Sequence, residues 1–184
     1  MDLLFIEKYK SRVKLKSGQS LSVRPLLPSD EIAYRNFFYK LKEETVYLRF
    51  FSKIKVFSRQ MAQAHWAELD YRKNITLIGL VRNKGNKEII AIGTYMESEE
   101  NRAEVAFVVR EDFQGQGIAS FLLNQLETIA KDNGFQGFTA CVLADNKAML
   151  HVFNKHYPGV QKKYENGTIS LVMDFNTKAP IEQF

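Results

Sequence analysis

Cysteine is almost missing from these 184 residues. The single one, Cys141, excludes an internal disulfide and fits a reducing compartment. No apolar run approaches the ~20 residues that would span a bilayer. The N-terminal Leu3-Leu4-Phe5-Ile6 stretch turns charged at once and lacks the order and length of a secretory signal, so the expectation is a cytoplasmic protein with no membrane partner. Histidine is scarce as well: His65, His151 and His156 show no metal-binding spacing of the His-Glu-x-x-His kind, and no metal is expected. Basic residues outnumber acidic ones by 26 to 21, a net charge of +5. They are scattered rather than gathered on one helix, so nucleic acid is not an expected partner.

What is present is an ordinary globular mix, 45% hydrophobic and 26% charged. The length suits one well-buried core and not two ordinary domains. Residues 1–184 therefore read as one domain, with 1–19 as an N-terminal extension and 176–184 as a tail. Leu21 to Leu26 alternates like a strand, with Pro25 at an edge or a strand end. Pro28-Ser29-Asp30-Glu31 is a helix start, followed by an apolar face of Ile32, Tyr34, Phe37, Phe38 and Leu41. Glu43 to Phe51 and Ser58 to Leu69 suggest two more short helices. Ile75–Val81 and Glu88–Tyr95 flank the turn Asn83-Lys84-Gly85-Asn86 and predict a hairpin. Glu104–Arg110 is a third strand, and Ile118–Asn133 the clearest helix, stopped by Gly134. A strand over Phe135–Leu143, a helix over Asn146–Lys155 and a strand over Thr168–Phe175 complete the chain. This order predicts an α/β (α+β) fold: a mixed, mostly antiparallel central sheet flanked by helices.

The most informative local pattern is the strand to Arg110, then Glu111-Asp112-Phe113, then Gln114-Gly115-Gln116-Gly117, then a helix. The first amides of a helix lack intrahelical partners, and the helix dipole adds about half a positive charge there. Glycines at 115 and 117 let a diphosphate approach the backbone. A Walker loop would need Gly-Lys-Ser/Thr, and a dinucleotide loop a different glycine frame. Two glycines alone also fit a plain left-handed turn.

With its neighbours, Gln114-Gly115-Gln116-Gly117-Ile118-Ala119 resembles the Gln/Arg-x-x-Gly-x-Gly/Ala signature with which the GNAT superfamily of N-acetyltransferases binds acetyl-CoA. Val23-Arg24-Pro25, Tyr47-Leu48-Arg49-Phe50-Phe51, Ala103-Glu104-Val105-Ala106 and Asn146-Lys147-Ala148-Met149-Leu150 extend the resemblance to the acetyltransferase domain of Pat-type protein lysine acetyltransferases. It covers roughly residues 13–160. The resemblance implies a GNAT fold in which two parallel strands splay apart to take the pantetheine arm. It implies acetyl-CoA as co-substrate, held by Phe107, Val108 and Val109, by Gln114 to Ala119 with Ser120, and by Asn146 and Met149. The 184 residues leave no room for the regulatory domain that Pat-type enzymes often carry.

The acceptor amine must be neutral to attack. At a pKa of ~10.4 a lysine pays about 4.6 kcal/mol to be so at pH 7, and a base helps. Glu104 starts the third strand, about six residues before the loop that follows Arg110, about 20 Å along a strand, which is close to the length of an extended pantetheine. The family places its base glutamate in this Ala-Glu-Val-Ala context; on its own, Glu104 also fits a solvated carboxylate at a strand end. An N–H near Phe107 or Val108 would polarise the thioester carbonyl. Asn146 suits a helix N-cap and, in the superfamily, a contact to pantetheine. Seven residues on, where many relatives carry a tyrosine that protonates the leaving thiolate, stands Phe153; Tyr157 is the substitute candidate acid. Cys141 is expected to be a buried, inert thiol. The expected reaction is direct acetyl transfer in a ternary complex to a primary amine, foremost a protein lysine. A small-molecule amine acetyltransferase and a catalytically weak acetyl-CoA sensor are the alternatives. The oligomeric state stays open, an oligomer included.

Overall fold

The chain's register along the sheet explains most of its architecture. In the computed structural model, residues 3–177 are described apart from 59, 62–65, 67–68 and 84. The eight strands are β1 (Ser11–Lys14), β2 (Ser20–Pro25), β3 (Asn74–Asn83), β4 (Asn86–Glu97), β5 (Arg102–Val109), β6 (Gly137–Leu143), β7 (Gln161–Glu165) and β8 (Thr168–Asp174). They lie in the order β1-β2-β3-β4-β5-β6-β8-β7. Every neighbouring pair is antiparallel except β5 with β6. The five described helices are α1 (Leu3–Lys8), α2 (Glu31–Tyr39), α3 (Glu43–Phe50), α4 (Ile118–Asp132) and α5 (Lys147–His156). This is the mixed, mostly antiparallel fold expected from the sequence, and α4 is the crossover that a parallel β5–β6 pair requires.

Alternation along β5 divides the two faces of the sheet. Val105, Phe107 and Val109 belong to the larger core, with Leu122, Leu123, Leu126 and Ile129 of α4 and Phe153 of α5. Val108 faces the other way, into a smaller cluster with Phe37 of α2, Ile78 and Ile92. Glycine makes one approach possible: a Cβ at Gly93 would lie 3.0 Å from the Phe107 ring and 3.2 Å from Leu126.

Several expectations shift. Pro25 closes β2 at its end, inside the sheet rather than on an edge. Ile32 is 65% exposed, so the buried face of α2 is carried by Phe37 and Phe38. Residues 3–15, read as extension, supply α1 and the edge strand β1, with Tyr9 and Leu15 buried. The edge strand β7 was not foreseen, since all five of its residues are exposed and no apolar alternation marks it. The helix expected over Ser58–Leu69, the turn residue Lys84, His65 and tail residues 178–184 fall wholly or partly outside the described residues.

Candidate active site

Strand β5 passes through a short 3-10 turn, Glu111–Phe113, into the glycine turn and then α4. Gly115 and Gly117 have φ of 73° and 82°, a left-handed backbone that glycine adopts without a Cβ clash. Gly117 is the N-cap of α4 and, among the described residues, no side chain caps the helix. The opening amides therefore keep their unmet hydrogen-bonding capacity, at the positive end of a 15-residue helix. Both glutamines are drawn aside. Gln114 Nε2 donates to the Val109 carbonyl at 2.9 Å, and Gln116 Oε1 accepts from the Ser17 amide at 3.3 Å. A Cβ at Gly115 would meet nothing within 4 Å, so the turn's surface is open. These features suit a diphosphate. Ile118 is buried in the core beneath the turn, with Ala119 and Ser120 half-buried beside it.

Next to the turn the sheet forks. The parallel β5–β6 ladder holds only at Arg102/Gly137, Ala103/Phe138 and Glu104/Thr139. Beyond it β6 stays paired with β8 as far as Leu143, while β5 stays with β4. The gap between them is lined by Val105, Ala106 and Phe107, by Cys141 and Val142, and by Asn146, Met149 and Phe153, with Leu48 and Arg49 of α3 above.

Parity along β5 decides which backbone groups face the gap. The Arg110 N–H donates to the Ile90 carbonyl at 2.9 Å. In the unbroken antiparallel register with β4, residues 104, 106 and 108 then also direct their N–H and C=O groups to β4. Residues 105, 107 and 109 direct theirs to the β6 side. The Val109 carbonyl, taken by the Gln114 side chain, agrees with this. Of the two amides named from the sequence, Phe107 N–H faces the fork and Val108 N–H belongs to the ladder.

Glu104 stands at the last paired position and is exposed. Its register partner on β4 is the exposed Met96, and it is close enough for its charge to be felt by Arg49. Asn146 caps α5: its Oδ1 accepts from the Met149 amide at 3.1 Å, and both residues line the gap. Tyr157 is not brought to this gap. It is fully buried, and its hydroxyl donates to Glu127 Oε2 at 2.6 Å, while Lys131 Nζ lies 2.7 Å from Glu127 Oε1. Burial pushes its pKa up from the usual phenol value, and the Glu127 carboxylate adds to the rise. Phe153 forms the floor instead, 6.1 Å from the Phe107 ring.

Two lining residues escaped the sequence reading. Cys141 is exposed in the gap rather than buried. Phe138, Ala140 and Val142 take the core face of β6, and strict alternation from them puts 141 outward. Arg49 lay inside the Tyr47–Phe51 stretch, but no period in the sequence says that α3 lies across β5. A larger hollow, about 620 Å³, opens at the far end of the sheet among α1, Arg72 and Asp132. There Lys8 and Tyr9 both bind Asp132 and Lys73 binds Glu97, so both of its carboxylates are already paired.

The sequence pattern of the acetyltransferase (GNAT) family matches residues 35–157, a span that takes in the fork, the glycine turn and the Asn146 cap. The chain belongs to the GNAT acetyltransferase family. It is 29% identical over 136 residues to an acetyltransferase of Pseudomonas aeruginosa, covering 73% of each chain. To the acetyltransferase Pat of Mycolicibacterium smegmatis it is 34% identical over 145 residues, 78% of this chain and 42% of that protein. Its fold matches the crystal structure of the GNAT domain of S. lividans PAT with a TM-score of 0.79 at 28% identity, over 91% of this chain and 98% of the other. As a GNAT enzyme, the chain is an acetyl-CoA-dependent N-acetyltransferase.

Proposed function

We propose that the chain transfers the acetyl group of acetyl-CoA to the side-chain amine of a protein lysine, by direct attack at the β5–β6 fork. The observation that carries this is the coincidence of three features along β5. A carboxylate stands where the strands part, an outward amide follows at Phe107, and an uncapped glycine turn opens α4 beyond.

Acetyl-CoA supplies the acetyl group as a thioester. The amides of the turn from Gly115 to Ser120 hold its phosphates through the helix dipole. The backbone of Phe107 and Val109 pairs with the pantetheine as a strand would, and Asn146 and Met149 close the other side. Glu104 takes the proton of the attacking amine, directly or through one water. Phe107 N–H donates to the carbonyl oxygen as negative charge builds there. A C–N bond forms and the C–S bond breaks; the CoA thiolate leaves and is protonated by water, because Tyr157 is occupied in the core.

A protein acceptor is supported by the similarity to Pat and by the openness around the base. Met96 beside Glu104 is 46% exposed, and Tyr47 of α3 and Phe51 just past its end are 43% exposed each. The test is to incubate the protein with acetyl-CoA and, separately, with protein lysates, polyamines and amino acids, following CoA release and acetyl-lysine by mass spectrometry. Turnover on protein lysines is expected. Turnover on small amines alone would assign the chain to the small-molecule acetyltransferases; acetyl-CoA binding without turnover would make it a sensor.

A further inference from the structure

Arg49 is a charged group with almost nothing to bind. It sits near the end of α3, partly buried, and lines the fork beside Ala106, Phe107 and Asn146. Its one hydrogen-bond contact among the described residues is to Thr94 Oγ1, at 3.5 Å. That is the far limit of such a bond. Its guanidinium lies 4.9 Å from the centre of the Phe50 ring, which steadies it without satisfying any N–H. No ion pair forms to it among the described residues, although Glu104 is near enough to act through space. Withdrawal from water lowers its pKa from the usual guanidinium value, against the opposing pull of Tyr34 and Glu104. A guanidinium does not give up its proton in a protein, and a carboxylate is the partner that answers its charge and its N–H groups together.

Three other arginines that are, like Arg49, partly withdrawn from solvent are paired. Arg24 meets Asp30 at 2.7 Å, Arg102 meets Asp174 at 2.6 Å, and Arg110 meets Asp112 at 2.6 Å. Arg49 is instead held open where substrates must pass. There is also an electrostatic difficulty. An acceptor amine arrives largely as a cation, and a bare guanidinium beside Glu104 repels it unless the same substrates bring negative charge.

We propose that Arg49 is a receptor for a carboxylate that enters the fork with the substrates, a site that selects an acceptor lysine flanked by an acidic residue. The assignment rests on the fork being the acetyl-transfer site. A guanidinium offers a carboxylate two parallel N–H bonds in fixed geometry, which lysine cannot reproduce. The same chemistry would also hold the terminal carboxylate of a dicarboxylic acyl chain on CoA, so the acyl donor is the second source to test.

Calorimetry separates the proposal from the activity it rests on. Paired lysine peptides, flanked by Glu or by the neutral isostere Gln, are titrated into the protein saturated with CoA. Separately, succinyl-CoA is compared with butyryl-CoA. Each titration is repeated with Arg49→Gln and Arg49→Lys, whose melting temperatures are recorded. A charged pair of this kind predicts roughly ten- to a hundredfold tighter binding of the Glu peptide to the native protein. That preference should vanish in Arg49→Gln and survive weakly in Arg49→Lys. An Arg49-dependent preference for succinyl-CoA would instead place the carboxylate on the acyl chain and support the same receptor. Equal binding in both comparisons by the native protein overturns it, as does a preference that persists undiminished in Arg49→Gln. Loss of catalysis with the binding preference intact would fault the acetyl-transfer site and not the receptor.

Discussion

Replacing Tyr157 by Phe removes one oxygen from the core and nothing else, which makes it a sharp probe of what that tyrosine does. Its hydroxyl donates to Glu127 at 2.6 Å; Glu127 is 3% exposed and also pairs with Lys131. Hydrogen bonds to charged groups are worth about 1.5–3 kcal/mol, and an acceptor left short inside the protein loses at least as much in solvation. The ring keeps its packing, so the expected cost is about 2 kcal/mol. For a domain of this size, each kcal/mol lowers the melting temperature by about 2–4 °C, so a fall of about 4–8 °C is expected by calorimetry or circular dichroism. Meanwhile kcat and KM for acetyl-CoA should change less than about threefold, since a hydroxyl spent on Glu127 performs no proton transfer. A fall in kcat of a hundredfold or more at an unchanged melting temperature would refute the reasoning. It would show that Tyr157 leaves Glu127 during turnover and acts as the acid.

Two further perturbations test other parts of the structure. Gly117→Val forces a β-branched residue to a φ of 82° and adds bulk where the phosphates approach; acetyl-CoA affinity by calorimetry should fall at least tenfold, with a folding penalty of about 1–2 kcal/mol. Asp70 accepts from the amides of Arg72, Lys73 and Asn74 at 2.8–2.9 Å. Burial alone would raise its pKa, but the three amides outweigh it and hold the carboxyl below its ordinary value. The stability it contributes is present above its unfolded pKa near ~3.9 and is lost as pH falls through the lower folded value. Denaturant titrations should show that Asp70→Asn lowers stability at neutral pH and flattens its decline in acid.

The glycine turn and the helix it opens were legible because their signals are local. Gly115 and Gly117 ahead of the amphipathic Ile118–Asp132 helix require no knowledge of distant residues, and the β5 strand is read from its own composition. The strand pairing of β5 with β6 and the fork beyond Glu104 were implied by family resemblance, not by any pattern in the sequence. Alternation along β6 could have turned Cys141 outward, had Phe138, Ala140 and Val142 been taken as the buried set. Tyr157 depends on Glu127, 30 residues away, and Arg49 depends on where α3 crosses Thr94, 45 residues away. Such contacts are set by tertiary packing and leave no period in the chain. β7 has neither local nor periodic signal: its residues are exposed throughout, and it exists because β8 offers it an edge.

Glutamate 104 carries the chemical claim. Glu104→Gln keeps the shape and hydrogen-bonding reach of the side chain and removes the base. With a lysine acceptor, kcat/KM should fall by about 10²–10⁴-fold, while the Kd for acetyl-CoA, measured on the same preparation, stays within about twofold of the native value. Raising the pH should recover part of the lost rate, as more of the amine arrives already deprotonated. An unchanged kcat/KM at neutral pH, with acetyl-CoA still bound, would contradict the assignment of Glu104 as the base at the fork.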